Sequence, residues 1–432
     1  MKLGSIEALY SIYCAYPSVV TDTRKLKSGD VYFALKGPNF NGNVFAVAAL
    51  EAGAAYAIVD EPIADSTAFQ DRIIIVEDVL ITLQQLAKYH RLQFDIPFIA
   101  ITGSNGKTTT KELVYSVLAS HFITYTTQGN LNNHIGVPLT LLSIPKNAQM
   151  AVIEMGANHQ KEIESYCTYT LPTHGMITNC GKAHLEGFGS EEGVKKGKGE
   201  LYDFLRKHNG TVFIMEDYPY LQTMSQGIAH IIGYGQHSGQ IQGEAMDTDG
   251  MLTVKIKKGI ALDTIKTHLV GNYNLPNVLA AVTIGQYFKV PTEKVKTAIE
   301  NYTPTNSRSQ LVQWQNNEVI LDAYNANPSS MKLAVENFAK LNKANKVVCI
   351  GGMRELGVDT LMEHQMLIDQ LKQNNWSEVL LVGSEFKNCN HNYHYFETVQ
   401  AAKVWFDSKQ FSGHTLLIKG SRGIQMEQLI AP

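Results

Sequence analysis

What this chain has little of narrows its function before any motif is considered. Its 432 residues carry a formal net charge of only −3. That leaves no electrostatic footprint for nucleic acid, so a genome-binding role is disfavoured. Cysteine is sparse: Cys14, Cys167, Cys180, Cys349 and Cys389 are scattered, odd in number and without metal-ligand spacing. They read as reduced thiols in a cytosolic protein. No uncharged apolar run approaches the ~18 residues of a membrane span, and the start from Met1 to Glu7 lacks a signal-peptide core. A Gly-x-Gly-x-x-Gly fingerprint is absent, which leaves a nicotinamide cofactor unsupported. Internal repeats and low-complexity tracts are absent too. What remains is a soluble, cytoplasmic chain, 44% hydrophobic, with material for roughly two to four α/β domains.

The most informative stretch runs from Ile96 to Thr110, Ile-Pro-Phe-Ile-Ala-Ile-Thr-Gly-Ser-Asn-Gly-Lys-Thr-Thr-Thr. Phe98 to Ile101 reads as a buried strand. Gly103 and Gly106 let the backbone turn and bring N–H groups to an anion. From Lys107 the pattern turns helical, with Leu113 facing Val117 and Val114 facing Leu118. Strand, glycine turn and helix N-terminus make a phosphate cradle, in which Lys107 reaches the β/γ-phosphates and Thr108 offers a hydroxyl to Mg²⁺. The loop is short, because Ile101 stands where the first glycine of Gly-x-x-x-x-Gly-Lys-Thr belongs.

Around this element the chain divides into a small α/β unit over 1–82, a central unit over 83–304 and a third over 305–432. In the first, Val31, Phe33 and Leu35 alternate as a strand, Phe45–Ala52 reads as a helix and Tyr56–Val59 as a strand. Arg24 there suits either a diphosphate, held bidentately, or solvent. A helix from Asp78 to Leu92 leads to the central unit, whose strands and helices alternate. That order predicts a mostly parallel sheet covered on both faces, with ligands beyond the carboxyl ends of its strands. Glu154 closes one such strand and suits either a Mg²⁺ ligand or a cap. Asn179, His184 and Glu186 follow another; His184 suits packing or ligation. Lys195, Lys196 and Lys198 read by default as solvated. The Gln128–Pro138 stretch is amide-rich, Leu252–Ile256 suggests a local hairpin, and Asn274 and Asn277 suit helix caps or readers of a base edge. The third unit, with strands at Val319, Val347, Val379 and Thr415, is again doubly wound.

At Thr102-Gly-Ser-Asn-Gly-Lys-Thr-Thr109 the chain resembles the Mur ligases, ATP-dependent amino acid ligases of peptidoglycan precursor synthesis. Glu154-Met-Gly-Ala-Asn-His159, Ala183-His-Leu-Glu-Gly-Phe-Gly189, Asp322-Ala-Tyr-Asn-Ala-Asn-Pro-Ser-Ser-Met331 and Lys419-Gly-Ser-Arg422 extend the resemblance over nearly the whole chain. They narrow it to the subgroup that couples D-alanyl-D-alanine to UDP-N-acetylmuramoyl-tripeptide. The resemblance implies a UDP-sugar domain, a central ATP domain with a phosphate-loop sheet, and a Rossmann-like acceptor domain, acting as a monomer. It assigns Thr23, Arg24, Asn41, Gly42, Asn132 and Asn133 to the UDP substrate. For ATP it assigns Gly103, Ser104, Asn105, Gly106, Lys107, Thr108 and Thr109, with Asn274 and Asn277 at adenine, Asp322 at ribose and Arg308 at the γ-phosphate. It implies two Mg²⁺ ions, one on Thr108 and one on Glu154 and His184, beside Lys198 as a carbamylation candidate. Lys107, His184, Lys198 and Arg308 would be catalytic, and Asn325, Asn327, Ser421 and Arg422 would orient the dipeptide.

The chain departs from the family pattern in three places. Asn41-Gly-Asn43 stands for Asp-Gly-His, Leu321-Asp-Ala-Tyr324 for Asp-Asp-Ser-Tyr, and Gly351-Gly-Met-Arg354 for Gly-Asp-Met-Ala, which puts a cation at a position without an assigned role. Two competing classes are a sister ligase with another acceptor and a phosphate-loop regulator that hydrolyses ATP to switch a partner.

Overall fold

The computed structural model describes residues 5–64, 67–246, 250–305 and 307–431; Met1 to Gly4, most of the start read above for a leader, lie outside the described residues. By proximity the chain divides into two units. The first holds residues 1–100, 122–157 and 161–174, and the second 101–121, 158–160 and 175–432. The chain passes from one to the other within the strand Phe98–Thr102.

The first unit opens with a four-stranded parallel sheet in the order Val19–Val20, Val31–Phe33, Tyr56–Val59, Ile73–Ile75. Tyr32, Ala57 and Val59 pack on Ala46, Ala49 and Leu50 of the helix Ala46–Glu51. Val31–Phe33 is buried at all three positions instead of alternating, as befits an inner strand of a parallel sheet. Asp78 caps the helix Val79–Arg91 by accepting from the Ile81 N–H at 2.8 Å. Its last residue, Arg91, is buried and donates to the carbonyls of Phe94 (2.9 Å), Thr170 (2.9 Å) and Leu171 (3.0 Å), over the Phe98 ring at 3.7 Å. One cation thereby satisfies carbonyls at the end of the helix Glu162–Thr170 and ties them to the turn that follows its own helix. Thr124–Thr126 and Met150–Glu154 pair in parallel in the same unit.

In the second unit, Thr211–Met215 and His230–Gly235 run parallel, and the next three strands, Ile241–Met246, Met251–Lys258 and Thr264–Val270, form an antiparallel meander. The expected hairpin at Leu252–Ile256 is therefore the middle of three strands. Its neighbour Ile241–Met246 is interrupted by Gln242, Gly243 and Glu244, which mask the strand pattern. The last sheet has the order Gln310–Trp314, Asn317–Asp322, Thr415–Lys419, Lys346–Gly351, Glu378–Val382, His394–Phe396, antiparallel only at the first pair. Its two faces carry separate cores. Val348, Ile350 and Leu417 face Phe338, Ile368 and Leu371, whereas Val347, Cys349 and Leu416 face Ala402 and Phe406. Alternate residues of one strand thus feed opposite layers, which defines a doubly wound arrangement. Among the described residues no helix is long and apolar enough to cross a membrane.

The chain's three tryptophans, Trp314, Trp376 and Trp405, all lie in or against this last pair of cores. Their fluorescence therefore reports its unfolding. Phe338 is fully buried and stacks on Trp376 with ring centroids 5.7 Å apart. Replacing it with alanine should cost about 3–5 kcal/mol, read as a lower urea midpoint of tryptophan emission. An unchanged midpoint would contradict this packing.

Candidate active site

The glycine turn is shaped by what presses against it. Gly103 has φ 142° and Gly106 φ 78°. A Cβ on Gly103 would lie 2.0 Å from Thr178 Oγ1, and one on Gly106 would lie 2.7 Å from Asn277 Oδ1. No other residue fits either place, on backbone angle or on space. The turn is pinned further by Asn179, whose side chain accepts from the Asn105 N–H (3.0 Å) and donates to the Asn105 carbonyl (3.1 Å). Thr178 Oγ1 donates to that same carbonyl at 2.6 Å, and Ser104 Oγ donates to the Gly181 carbonyl at 2.9 Å. Lys107 opens the helix Lys107–Ala119 and folds back, its ammonium donating to the carbonyls of Gly103 (2.7 Å) and Ser104 (3.3 Å). Thr108 is buried in the first turn and Thr109 half-buried beside it. The sequence placed all of these on one loop, and the structure brings them together.

Asn274 and Asn277 are both buried. Asn274 donates to the Val270 carbonyl (2.9 Å), Asn277 donates to Asn274 Oδ1 (2.8 Å), and Thr110 donates to Asn277 Oδ1 (3.0 Å). This chain of amides locks the helix Leu275–Tyr287 against the phosphate loop. Asn274 stands at the helix start but makes no side-chain cap bond.

The amide turn of the last sheet meets the same loop. Asn327 caps the helix Pro328–Lys340 with a reciprocal Ser330 pair, and its Nδ2 donates to Asn105 Oδ1 at 2.7 Å. Asn325 is exposed and accepts from the Ala326 N–H at 2.9 Å. Asp322 pairs with the buried Lys419 at 2.6 Å and accepts from the Ser309 N–H at 3.2 Å. Between them Tyr324 serves as a platform, with the Arg308 guanidinium 3.6 Å above its ring and that of Arg422 at 5.3 Å. Arg422 also donates to the Tyr324 hydroxyl at 3.4 Å. Ser421 is buried and donates to the Gly352 carbonyl at 2.5 Å.

His184 has φ 53° at the start of the helix Leu185–Phe188, and its Nδ1 pairs with Glu355, itself at φ 63°. That contact holds the Glu355 carboxyl below the usual carboxylate range. Glu355 lay in a run whose role the sequence left open, because its partner is 171 positions away. Lys198 corrects the solvated reading of its cluster: it is 1% exposed, with its ammonium 5.1 Å from the Phe188 ring. The helix Glu191–Lys207 turns Val194, Lys198, Leu201 and Leu205 to its inner face, at three- and four-residue spacing. Burial pushes the nearby Cys180 thiol up to about 12, so it stays protonated.

In the first unit, Glu154 is buried at its strand end and accepts from Asn132 Nδ2 at 2.7 Å, so two of the expected site residues touch. Asn133 accepts from the Gly136 N–H at 2.8 Å, just before the helix Gly136–Leu142. Arg24 is exposed and folded bidentately on Asp22, at 2.8 Å through both Nε and Nη2; Thr23 lies in the same turn. Asn41 donates to Glu61 at 3.0 Å, and Gly42 is held against Leu35, whose carbonyl a Cβ would strike at 2.5 Å. Asn43 is buried and donates to Asp60 at 2.8 Å.

Three family models match successive parts of the chain: Mur ligase family, catalytic domain, over 16–91; Mur ligase middle domain over 101–285; and Mur ligase, glutamate ligase domain, over 307–422. The UDP-N-acetylmuramoyl-tripeptide–D-alanyl-D-alanine ligase of Bacillus subtilis (strain 168) is 32% identical, covering 95% of this chain and 92% of its own. That of Escherichia coli (strain K12) is also 32% identical, over 96% and 92%. Among solved structures, MurF from Acinetobacter baumannii superposes with a TM-score of 0.85 at 30% identity, over 95% of this chain and 92% of its own. MurF ligase from Thermotoga maritima in complex with ADP gives 0.85 at 25%, over 95% and 96%. The pinned, shortened phosphate loop and these whole-length likenesses agree: the chain belongs to the Mur ligase family and has its three-domain α/β fold.

Proposed function

We propose that this chain joins D-alanyl-D-alanine to UDP-N-acetylmuramoyl-tripeptide with ATP, giving the UDP-muramoyl pentapeptide of peptidoglycan precursor synthesis. We place a UDP-sugar domain at 1–82, an ATP domain at 83–304 and an acceptor domain at 305–432, working as a cytoplasmic monomer. One hydrogen bond carries the reading. Asn327, on the amide turn of the acceptor sheet, holds Asn105 of the phosphate loop at 2.7 Å. A machine that only hydrolysed ATP would have no use for an acceptor element fastened to its phosphate cradle.

In the first step the terminal carboxylate of the tripeptide attacks the γ-phosphorus, ADP leaves, and an acyl phosphate results. The dipeptide amine then attacks that carbonyl, gives up a proton and expels phosphate. The protein's task is to hold two anions in contact and to neutralise developing charge. Lys107, already folded over the loop carbonyls, turns to the phosphates, and Arg308, set over the Tyr324 ring, takes the γ-phosphate. Asn274 and Asn277 support the adenine end and Asp322 the ribose. Thr23, Arg24, Asn41, Gly42, Asn132 and Asn133 take the UDP substrate, and Asn325, Asn327, Ser421 and Arg422 the dipeptide.

Magnesium ligands are proposed from the donor chemistry of each residue in turn. A hard cation takes oxygen, and the Thr108 hydroxyl and the buried Glu154 carboxylate both supply it. His184 offers its Nε2, since Nδ1 is held by Glu355. Lys198 suits a second ion only as a carbamate, whose oxygens replace the ammonium. Bound Mg²⁺ would neutralise charge on the transferring phosphoryl group.

Phosphate release should require ATP, UDP-muramoyl tripeptide and D-alanyl-D-alanine together; steady ATP turnover without the dipeptide would instead favour the regulator reading. Lys107→Ala should lower turnover by about 10³-fold or more, several kcal/mol of transition-state stabilisation. Calorimetry should still detect binding of the UDP substrate to that variant. Asn327→Ala removes both a helix cap and the loop contact, so it should lower stability by about 1 kcal/mol and raise the KM for ATP. A KM unchanged at equal stability would remove the link between acceptor turn and loop.

A further inference from the structure

The geometry points to Arg354 as a preset guanidinium that docks the terminal carboxylate of the acceptor dipeptide, a role that rests on the ligase reading above. Three adjacent parallel strands, Thr415–Lys419, Lys346–Gly351 and Glu378–Val382, end together. Beyond the carboxyl ends of such strands is where open α/β sheets bind ligands. The segments leaving these ends are tied to one another. Ser421 donates to the Gly352 carbonyl, and the Gly352 N–H donates to the Val382 carbonyl at 2.9 Å.

Glu385 sits in the middle of this junction. Its Oε2 lies 2.5 Å from where a Cβ on Gly352 would be, and the same distance from one on Gly383. Glu385 therefore occupies the space that a side chain at position 352 would need, so glycine at 352 and glutamate at 385 go together. Its Oε1 pairs with Arg354 Nε at 3.1 Å, the carboxylate side chain 11% exposed and the guanidinium side chain 57% exposed. This ion pair sets the guanidinium beside Glu385, and its two terminal nitrogens have no hydrogen-bond partner among the described residues. A guanidinium with both terminal nitrogens open can match a carboxylate bidentately. Arg354 also lies against the Ser421–Gly423 turn, its Nε 3.8 Å from a Cβ position on Gly423. Arg422, the middle residue of that turn, faces Tyr324. A small zwitterionic acceptor has one permanent anion, its terminal carboxylate. Its amine must stay uncharged to attack, so a cation beside the carboxylate end fixes orientation without opposing the reaction.

The test is steady-state phosphate release by the full chain, with KM measured separately for ATP, UDP-muramoyl tripeptide and D-alanyl-D-alanine. Arg354→Ala should raise the dipeptide KM by about 10- to 100-fold, the worth of a charge-assisted pair, and leave kcat and the other two KM values within about two-fold. Arg354→Lys keeps the charge but not the fork and should fall between. Glu385→Gln, which frees the guanidinium without removing it, should give a smaller rise. With D-alanyl-D-alaninamide as acceptor, which lacks the carboxylate, native and Arg354→Ala proteins should converge. An unchanged dipeptide KM in Arg354→Ala, or an equal penalty with the amide, overturns the proposal while the ligase reading stands. Failure of the native chain to use the dipeptide at all overturns both.

Discussion

Everything attributed to this protein depends on two missing methyl positions. The phosphate loop exists in its compressed form because Gly103 and Gly106 admit Thr178 and Asn277 to within 2.0 Å and 2.7 Å of where their Cβ atoms would be. A loop of ordinary residues would have to stand off from these neighbours, and its N–H groups would lose their common direction. The shortening at Ile101 has the same consequence. Ile101 is buried in the strand that precedes the turn, so one residue serves the core where a longer loop would have spent a glycine. The cradle is thereby built from packing first and from backbone polarity second.

Around that turn the protein uses amides where charges would be expected. Asn105, Asn179, Asn277, Asn274 and Asn327 form a nearly continuous set of donors and acceptors from the phosphate loop to two helix starts. Neutral amides hold shape without adding a field of their own, and each can donate and accept at once. Placing charges here would compete with a polyphosphate for the same N–H groups. The cations are kept apart from this network and restrained by other means: Lys107 by loop carbonyls, Arg308 and Arg422 by an aromatic face, Arg354 and Lys419 by carboxylates.

The parts legible in the sequence were those whose signal is local. The strand Phe98–Thr102, the turn and the helix Lys107–Ala119 are contiguous and change period from strand to helix within a few residues, so pattern alone places them. Glu154 and Asn327 were findable for the same reason, since each sits at an element boundary. Lys198 was not. A lysine flanked by Lys195 and Lys196 reads as solvent-facing, and only the apolar positions Val194, Leu201 and Leu205 on its own face mark the inward turn. Glu355 and Glu385 were illegible for a different reason. Their meaning lies in partners, His184 for one and the Gly352 backbone for the other, that only the fold brings near. The meander Ile241–Val270 was half seen because its outer strands mix polar residues with buried ones.

Left-handed backbone occurs at several of the residues named above. Ser307 and Ser309, on either side of Arg308, have φ of 54° and 47°, while His184 and Glu355 have 53° and 63°. Left-handed conformations in such residues cost of order 1 kcal/mol each and persist only where surroundings over-determine them. The surroundings do so here: Ser309 is held by Tyr273 at 3.0 Å and by Asp322 at 3.2 Å, and His184 and Glu355 hold each other. A chain with no use for a fixed Arg308 would relax these turns by placing glycine or asparagine in them. Keeping serine there, and building Tyr273 and Asp322 to hold it, makes sense if the direction of one guanidinium matters more than the small loss of stability. Ser309 beside Arg308 and the His184–Glu355 pair are thus left-handed residues fixed by specific contacts.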